Sequence, residues 1–488
     1  MLDQNTPERP ARPNVETGLV KWFDQRTGID SLLHETLDEP IPGGARWAYI
    51  FGSGLLFLFV SQIITGVFLA LYYVPSADHA HATVSYIVKV VTAGSFIRSI
   101  HAYGSSGIII LLLLHIGQTI LYGSYKGRRE LLWLSGCILL ALMLGMAFTG
   151  YLLPWDEKSY FASAVGTNLL SEVPFIGLPL QQLVRGGSQM GTLTVSRFYV
   201  LHVFVLPGLL IGFIASHVFF FRKAGAAGPI KEDPVHPKLP TVPFYPRQVA
   251  LDAVFAVLLI GILALIAVGI PMDLGPAASP ANTAFVPRPE WYYRPAFQWL
   301  KYFSGRWSLI GGILLPALLA VIFAAVPFLD RRLERRPWRR PISVGAFFLF
   351  LLTYVSLGVA SYRADYKDPG VAAQMHKQDE DTRAFMLKPF VPDSAPGNAA
   401  AGLVAADPKV VKGLAIFQAN SCGSCHGDGG VGTAAAGPLT GLGQKYTDSQ
   451  LIAVLHSPDI KMTAGGMTLV DLNQDSMENL VAYLRQLH

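Results

Sequence analysis

Charge is scarce in this sequence. Asp, Glu, Lys and Arg make up 15% of its 488 residues, where a soluble protein carries about a quarter. A chain this poor in charge and 51% hydrophobic is no single soluble globule and calls for several membrane spans. The net charge of +5 is small, and no basic patch is interleaved with aromatics, so a nucleic-acid partner is not expected. Cysteine is nearly absent, at three residues. That count excludes a disulfide framework. Cys137 lies inside an apolar run and reads as a small buried hydrophobe. Cys422 and Cys425 are followed directly by His426, the C-x-x-C-H pattern of covalent c-type haem attachment. A zinc site would need two further ligands, and this part of the chain has no other cysteine.

What the sequence does have is apolar residues in long runs. Seven stretches, at about 47–74, 100–122, 132–152, 198–221, 249–271, 308–329 and 342–361, are long enough to cross a bilayer. Lys and Arg in short loops set the orientation. They are Lys126, Arg128 and Arg129 after span 2, Arg222 and Lys223 after span 4, and Arg331, Arg332, Arg335, Arg336, Arg339 and Arg340 after span 6. All fall on one side, which is expected to be cytoplasmic and to hold the polar first 45 residues. The segment after about 362 is then periplasmic, where c-type haem is attached. Two connections on that outer side, about 153–196 and 272–307, are too long for simple turns and are rich in aromatics, Pro and Gly. Long loops of this kind usually carry function.

Of twelve histidines, four fall inside the runs: His101 and His115 on span 2, His202 and His217 on span 4. An ionisable residue within a span is a functional-site hypothesis by default. The first pair is 14 residues apart and the second 15. A 14-residue step ends about 40° short of whole helical turns and a 15-residue step about 60° past them, so each pair shares a face. The rise of about 21 Å puts one histidine near each side of a hydrocarbon core of about 30 Å. Two helices, each offering an upper and a lower histidine, make two bis-histidine sites for two stacked b-type haems. The bland alternative is a set of hydrogen-bonded core histidines. Gly52 and Gly66 on span 1, and Gly136 and Gly150 on span 3, repeat the 14-residue spacing. They are expected to let a haem edge approach each backbone, the alternative being ordinary small-residue packing.

The runs Arg98-Ser-Ile-His101, Gly150-Tyr-Leu-Leu-Pro-Trp155, Arg197-Phe-Tyr-Val-Leu-His202 and Pro289-Glu-Trp-Tyr292 together resemble the cytochrome b of cytochrome bc complexes, the quinol:cytochrome c oxidoreductases. The resemblance covers about residues 20–362. The 15-residue step on span 4 and the stop at seven spans are similar to the chloroplast and cyanobacterial branch, where two chains divide near the loop after span 4. Here both parts are one chain. That branch's cysteine for an extra covalent haem is matched by Ile50, and its Arg after the second histidine of span 2 by Gln118.

The resemblance implies an outer quinol-oxidising site built from the two long loops. Glu290 would take a proton there, and Tyr151 and Tyr292 would line the pocket. Arg98 and Arg197 would neutralise propionates of the outer haem, or anchor the interface. An inner quinone site is implied near Arg222, Lys223, Glu232 and Asp233, which serve equally as interface charges. No Rieske-type Cys/His motif occurs in the sequence, so the Rieske iron–sulfur protein would be a separate chain. Other complex subunits, a soluble or membrane cytochrome c acceptor, surrounding lipid and a homodimeric complex are the further partners implied. The activity is quinol oxidation coupled to proton translocation in the cell's inner membrane.

The last 80 or so residues resemble a class I cytochrome c. A helix over 410–419 leads into Cys422-Gly-Ser-Cys-His426, a methionine loop follows, and Met477-Glu-Asn-Leu-Val-Ala-Tyr-Leu484 forms a closing helix. His426 would be the proximal ligand. Met467 is the favoured distal ligand because it lies just before the last helix, with Met462 as the alternative. The expected fold is all-α, a seven-span bundle with a four-helix dihaem core plus a small all-α domain. Its parts are a cytoplasmic segment 1–45, the dihaem core 46–222, a three-span region 223–362, a linker 363–407 and the c-type domain 408–488.

Overall fold

The computed structural model describes residues 18–29, 37–228, 230, 241–280, 282, 284–391, 407–420, 422–427, 430, 432, 436–459, 462–463, 467 and 469–487. Among these, seven helices are long and apolar enough to cross a membrane: Trp47–Ala70, Gly94–Leu121, Glu130–Leu152, Thr192–Ala224, Arg247–Gly269, Gly305–Ala324 and Pro341–Lys367, spans 1 to 7. The chain forms two compact units, residues 1–390 and 391–488. The fold is thus a seven-span helical bundle plus a small helical domain.

Spans 1 and 2 pack along one another, as do spans 3 and 4, and span 5 lies against spans 1 and 2. Leu58, Ile108, Leu111 and Leu263 close a small core between them. Much of the remaining apolar surface points outward, as with Val257, Leu265 and Val268 on span 5 and Val321 on span 6. A helix satisfies its own backbone polar groups, so such a surface suits lipid.

Span 4 contains a π-turn over Leu201–Val205, which ends two residues before Pro207. Proline lacks an N–H and crowds the carbonyl four residues back, and a π-turn absorbs one extra residue locally. His202 sits in that turn. Span 2 is regular throughout. The bulge therefore takes up the extra residue of the 15-residue step, which then matches the 14-residue step of span 2.

The end of the bundle bearing the two long connections is called here the outer end. The connection expected as a loop at 153–196 is largely helical: α2 covers Glu157–Ser171 and α3 Gly177–Arg185, after α1 (Ala80–Lys89) in the preceding outer connection. These helices are too short to show as apolar runs, although Asp156 is a standard N-cap residue. Its Oδ1 accepts from Ser159 N at 2.8 Å and its Oδ2 from Gly275 N at 3.1 Å. Ala278 N donates to Trp155 O at 3.1 Å and Glu157 N to Pro276 O at 3.1 Å. The two outer connections are thereby stitched together. The second carries α4 (Arg294–Lys301), which packs on span 7.

The segment expected as a linker from 363 also differs. Span 7 runs on to Lys367, Asp368 caps a further helix α5 (Pro369–Leu387) with its carboxylate, and Pro369 occupies the first turn. Helix α5 lies on the outer connections: Lys89 Nζ donates to Phe385 O at 2.7 Å and Lys388 O at 2.8 Å, and Val286 N to Gln378 Oε1 at 3.2 Å. Residues 392–406 of the expected linker lie outside the described residues.

At the other end, β1 (Pro40–Pro42) pairs antiparallel with β2 (Thr241–Pro243), Ile41 opposite Val242. The basic residues there are more than topological markers. Lys126 Nζ bonds Asp330 Oδ1 at 2.6 Å, and Arg340 Nη2 donates to Ile120 O at 2.9 Å and Leu121 O at 2.8 Å. Arg340 thus caps the C-terminal carbonyls of span 2.

In the second unit, α6 (Pro408–Ala419) crosses the closing helix α9 (Gln474–Arg485), with α7 (Gly423–His426) and α8 (Asp448–His456) between them in sequence. A Cβ on Gly413 would come within 1.9 Å of Asn479 O, so only glycine allows this crossing. Val410, Phe417, Leu451, Met477 and Leu480 form the core.

Candidate functional site

The four span histidines meet in two levels. At the outer level the His101 and His202 rings lie 6.2 Å apart between centroids, at 77°. Two imidazole–metal bonds of about 2 Å each, with a ring radius at either end, account for roughly that separation. At the inner level His115 and His217 are within electrostatic reach of one another.

Three of the four rings are oriented through Nδ1. Thr65 Oγ1 lies 3.0 Å from His101 Nδ1, Ser135 Oγ 2.9 Å from His217 Nδ1, and Thr149 Oγ1 3.2 Å from His202 Nδ1. Each hydroxyl already gives its proton to a backbone carbonyl: Ser61 O at 2.7 Å, Leu132 O at 2.9 Å and Gly145 O at 3.0 Å. The hydroxyl oxygens therefore accept from Nδ1–H. Met146 O, an acceptor only, also lies 3.1 Å from His202 Nδ1. With the proton on Nδ1, the Nε2 lone pair is free for a metal. His115 differs: its Nδ1 is buried with no partner among the described residues.

Sequence reasoning missed these hydroxyls, although each immediately precedes one of the spaced glycines: Thr65-Gly66, Ser135-Gly136 and Thr149-Gly150. The fourth glycine, Gly52, follows Phe51, which offers no hydrogen bond. The glycines face the imidazoles. A Cβ would lie 2.4 Å from His202 Cε1 at Gly150, 3.1 Å from His101 Cε1 at Gly66, 3.3 Å from His217 Cε1 at Gly136 and 3.7 Å from His115 Cε1 at Gly52. Paired imidazoles held through Nδ1, in a cradle that Cβ atoms would close, fit a bis-imidazole haem.

Beside the outer level sits the Pro289-Glu-Trp-Tyr292 segment. Trp291 Nε1 donates to Ser106 Oγ at 3.2 Å, five residues past His101, and Tyr293 OH donates to Leu144 O at 2.6 Å on span 3. Tyr354 OH on span 7 donates to Tyr292 O at 2.8 Å. Tyr292 is buried, and burial pushes its phenol well above the usual range, with Glu290 adding to the effect. Tyr151, next to Gly150, reaches Lys158 O at 3.3 Å and Arg288 O at 3.4 Å. Glu290 Oε1 accepts from Lys158 Nζ at 2.7 Å.

Two arginines flank the segment and share one carboxylate that sequence reasoning missed. Asp365, its side chain 1% exposed, bonds Arg288 Nε at 2.7 Å and Arg294 Nη1 at 2.8 Å. The end of span 7 thus clamps the segment from both sides. Arg98 and Arg197 hold outer connections: Arg98 Nη1 donates to Met272 O at 2.7 Å and Nη2 to Asp273 O at 3.0 Å, and Arg197 donates to Gln182 O and Leu183 O.

At the inner end, Arg222 Nη2 is buried with no partner among the described residues, and Lys223 Nζ lies 5.8 Å from the Phe219 ring centre. Glu232 and Asp233 lie outside the described residues. In the second unit His426 Nδ1 bonds Gly437 O at 3.0 Å, which again leaves Nε2 free. Met467 and Cys422 are partly buried against the core, while Met462 is 37% exposed. Cys425 lies in α7, and its side chain is outside the described residues.

This architecture has close counterparts. Residues 36–225 match the family model for cytochrome b/b6/petB, residues 277–375 that for cytochrome b(C-terminal)/b6/petD, and residues 410–488 that for cytochrome c. The chain is 33% identical over 371 residues to the cytochrome bc complex cytochrome b subunit of Chlorobaculum thiosulfatiphilum, covering 75% of this chain and 85% of that one. It is 33% identical over 372 residues to cytochrome b of Rhodobacter capsulatus, covering 70% and 84%. Cytochrome b/c1 of Bradyrhizobium diazoefficiens is 33% identical over 345 residues, 70% of this chain, and this chain spans half (50%) of that protein's length. A solved structure of a hyperthermophilic respiratory Complex III superposes with a TM-score of 0.63 at 25% identity, covering 76% of this chain and 98% of that one.

The chain belongs to the cytochrome b family of cytochrome bc complexes. It is a multi-pass membrane subunit for electron transfer, a cytochrome b fused to a cytochrome c domain, and both families imply haem.

Proposed function

We propose that this chain is the cytochrome b/c subunit of a proton-translocating quinol:cytochrome c oxidoreductase, oxidising quinol at its outer end. The observation that carries this is the placement of Glu290. Its segment bonds span 2 at Ser106 and span 3 at Leu144, beside the outer histidine pair. Oxidising a quinol releases two protons, so a carboxylate beside the first electron acceptor is what the reaction needs.

His101 with His202, and His115 with His217, would hold two b haems, and Cys422, Cys425, His426 and Met467 one c haem. These groups supply one-electron carriers at two depths and at the outer surface. Glu290 accepts a quinol proton. Tyr151 and Tyr292 wall the pocket, and the Arg288–Asp365–Arg294 clamp fixes the segment's height. Arg98 and Arg197, which also hold the outer connections, would neutralise the outer haem's propionates at the edge of the same region. A quinone at the inner end takes up protons near Arg222, whose buried Nη2 supports an anionic or carbonyl ligand there. A separate Rieske iron–sulfur protein receives one of the two electrons. The positive loops support a cytoplasmic inner end and a c-type unit on the outer side of the inner membrane.

The test is quinol-dependent cytochrome c reduction by the purified complex, with ubiquinol, menaquinol and plastoquinol analogues in turn. At least one should support turnover together with reduction of the b-type absorbance. A haem-replete complex inert to all three overturns the proposal.

A further inference from the structure

Glu290 has a charged companion that the motifs did not point to. Lys158, in the first turn of α2, donates from Nζ to Glu290 Oε1 at 2.7 Å, with side-chain exposures of 49% for Lys158 and 26% for Glu290. The pair therefore runs from the covered side of the segment toward the outer surface. Its lysine is held in place by local structure. Asp156 caps α2 and ties it to Gly275, the Lys158 carbonyl accepts from Tyr151 OH, and Nζ lies 5.9 Å from the Tyr151 ring centre.

The other ionisable groups around the pair are Tyr103 from span 2, Tyr151 from span 3, Asp156 before α2, Tyr292, and Arg294 at the start of α4. Asp156 is committed to backbone N–H groups. Arg294 is committed to Asp365 at 2.8 Å. Among the described residues, Lys158 is the cation bonded to Glu290. Burial works to lower the Lys158 ammonium, and the adjacent Glu290 carboxylate overrides this and holds it above its ordinary value. Exposed ion pairs contribute little to stability, so stability alone is a weak reason for such a pair beside the proposed pocket.

We propose that Lys158 is a positioning residue for quinol oxidation, bonding the Glu290 carboxylate and keeping it aimed until a quinol proton neutralises it and frees it to turn toward the outer solvent. As the quinol O–H bond breaks, an O–H bond forms on Glu290. The quinol's second proton goes to water at the outer surface, and its two electrons would pass to the separate iron–sulfur protein and to the group that His101 and His202 would hold. Neutral Glu290 loses its ionic attraction to Lys158, turns outward, gives the proton to water and, ionised again, returns to the ammonium.

This inference rests on the quinol-oxidation proposal, and the test separates the two. The intact complex is prepared as wild type, Lys158→Met and Lys158→Arg, each normalised to b-type haem, and kcat/KM for quinol is followed against pH. Removing a cation beside a carboxylate favours the protonated carboxyl. The acidic limb of Lys158→Met should therefore move to higher pH by about one unit. Lys158→Arg should keep the wild-type limb. If the Met variant does not assemble, Lys158→Gln carries the same expectation. An active wild type whose Met variant keeps the same acidic limb, or whose Arg variant shifts as far as Met, overturns this inference alone. A wild type without quinol oxidation overturns the parent proposal and this one with it.

Discussion

The two histidine levels are built from the same four spans but are not finished alike. At the outer level both imidazoles are held through Nδ1, His101 by Thr65 and His202 by Thr149 and Met146 O. At the inner level Ser135 holds His217, while His115 Nδ1 has no partner among the described residues. The glycine clearances follow the same division, with the tightest at Gly150 on the outer level and the loosest at Gly52 on the inner. A single local pattern, a hydroxyl residue followed by glycine, does two jobs. The hydroxyl sets the ring's tautomer and direction, and the glycine lets the ring come close. Where Phe51 stands in place of the hydroxyl, both the hydrogen bond and the close approach are lost together.

The comparison is broken most severely by removing a ligand. Replacing His202 with Leu should leave about one b haem fewer per chain, because a single axial imidazole holds the group poorly. The loss should fall on the outer centre, with the inner one retained. Pyridine haemochrome with redox-resolved spectra measures this, and unchanged b-type haem would sink the pairing of His101 with His202.

A smaller and more discriminating change is a single methyl group. In Gly150→Ala the added Cβ would be 2.4 Å from His202 Cε1, closer than any real contact, so the ring or the helix must shift. In Gly52→Ala the corresponding distance is 3.7 Å, an ordinary van der Waals contact. Haem content after purification should fall in the first variant and hold in the second. Equal behaviour of the two would mean that the levels do not differ in the way these distances say.

Smaller still is the loss of one hydroxyl. Thr149→Val keeps the shape but takes away one acceptor from His202 Nδ1–H. Removing such outer partners typically costs 10–100-fold in metal affinity. Because Met146 O remains, the effect should sit at the lower end, seen as faster haem loss on dilution in detergent. The matching change beside His115, Phe51→Leu, removes no hydrogen bond and should leave the rate unchanged.

Much of this was legible in the sequence, and the physical reasons are specific. The seven spans appear as apolar runs because each must satisfy its backbone alone in lipid. The histidines stand out because ionisable groups are rare there. Other features were hidden because they depend on contacts distant in sequence. Asp365 is one carboxylate at the end of an apolar run, and nothing local links it to Arg288 and Arg294, about 70 residues earlier. Lys158 likewise meets Glu290 only because Asp156 stitches the two outer connections together. Helices α2, α3 and α5 lie outside the apolar runs, so hydropathy shows only loop or linker there, although Asp156 and Asp368-Pro369 are helix-start signals. The π-turn before Pro207 was concealed as a 15-residue step.

The claim at the centre is that the outer level is where quinol is oxidised, with Glu290 carrying a proton away. Glu290→Gln tests it most directly, since glutamine keeps the volume and a hydrogen-bonding carbonyl but cannot cycle a proton. Steady-state quinol:cytochrome c activity, normalised to b-type haem, should fall on the order of 10²–10⁴-fold and lose its acidic limb. Reduction of the inner b-type centre by quinol entering from the inner end should be much less affected. A variant with full haem, near-normal turnover and an unchanged pH profile would contradict the account.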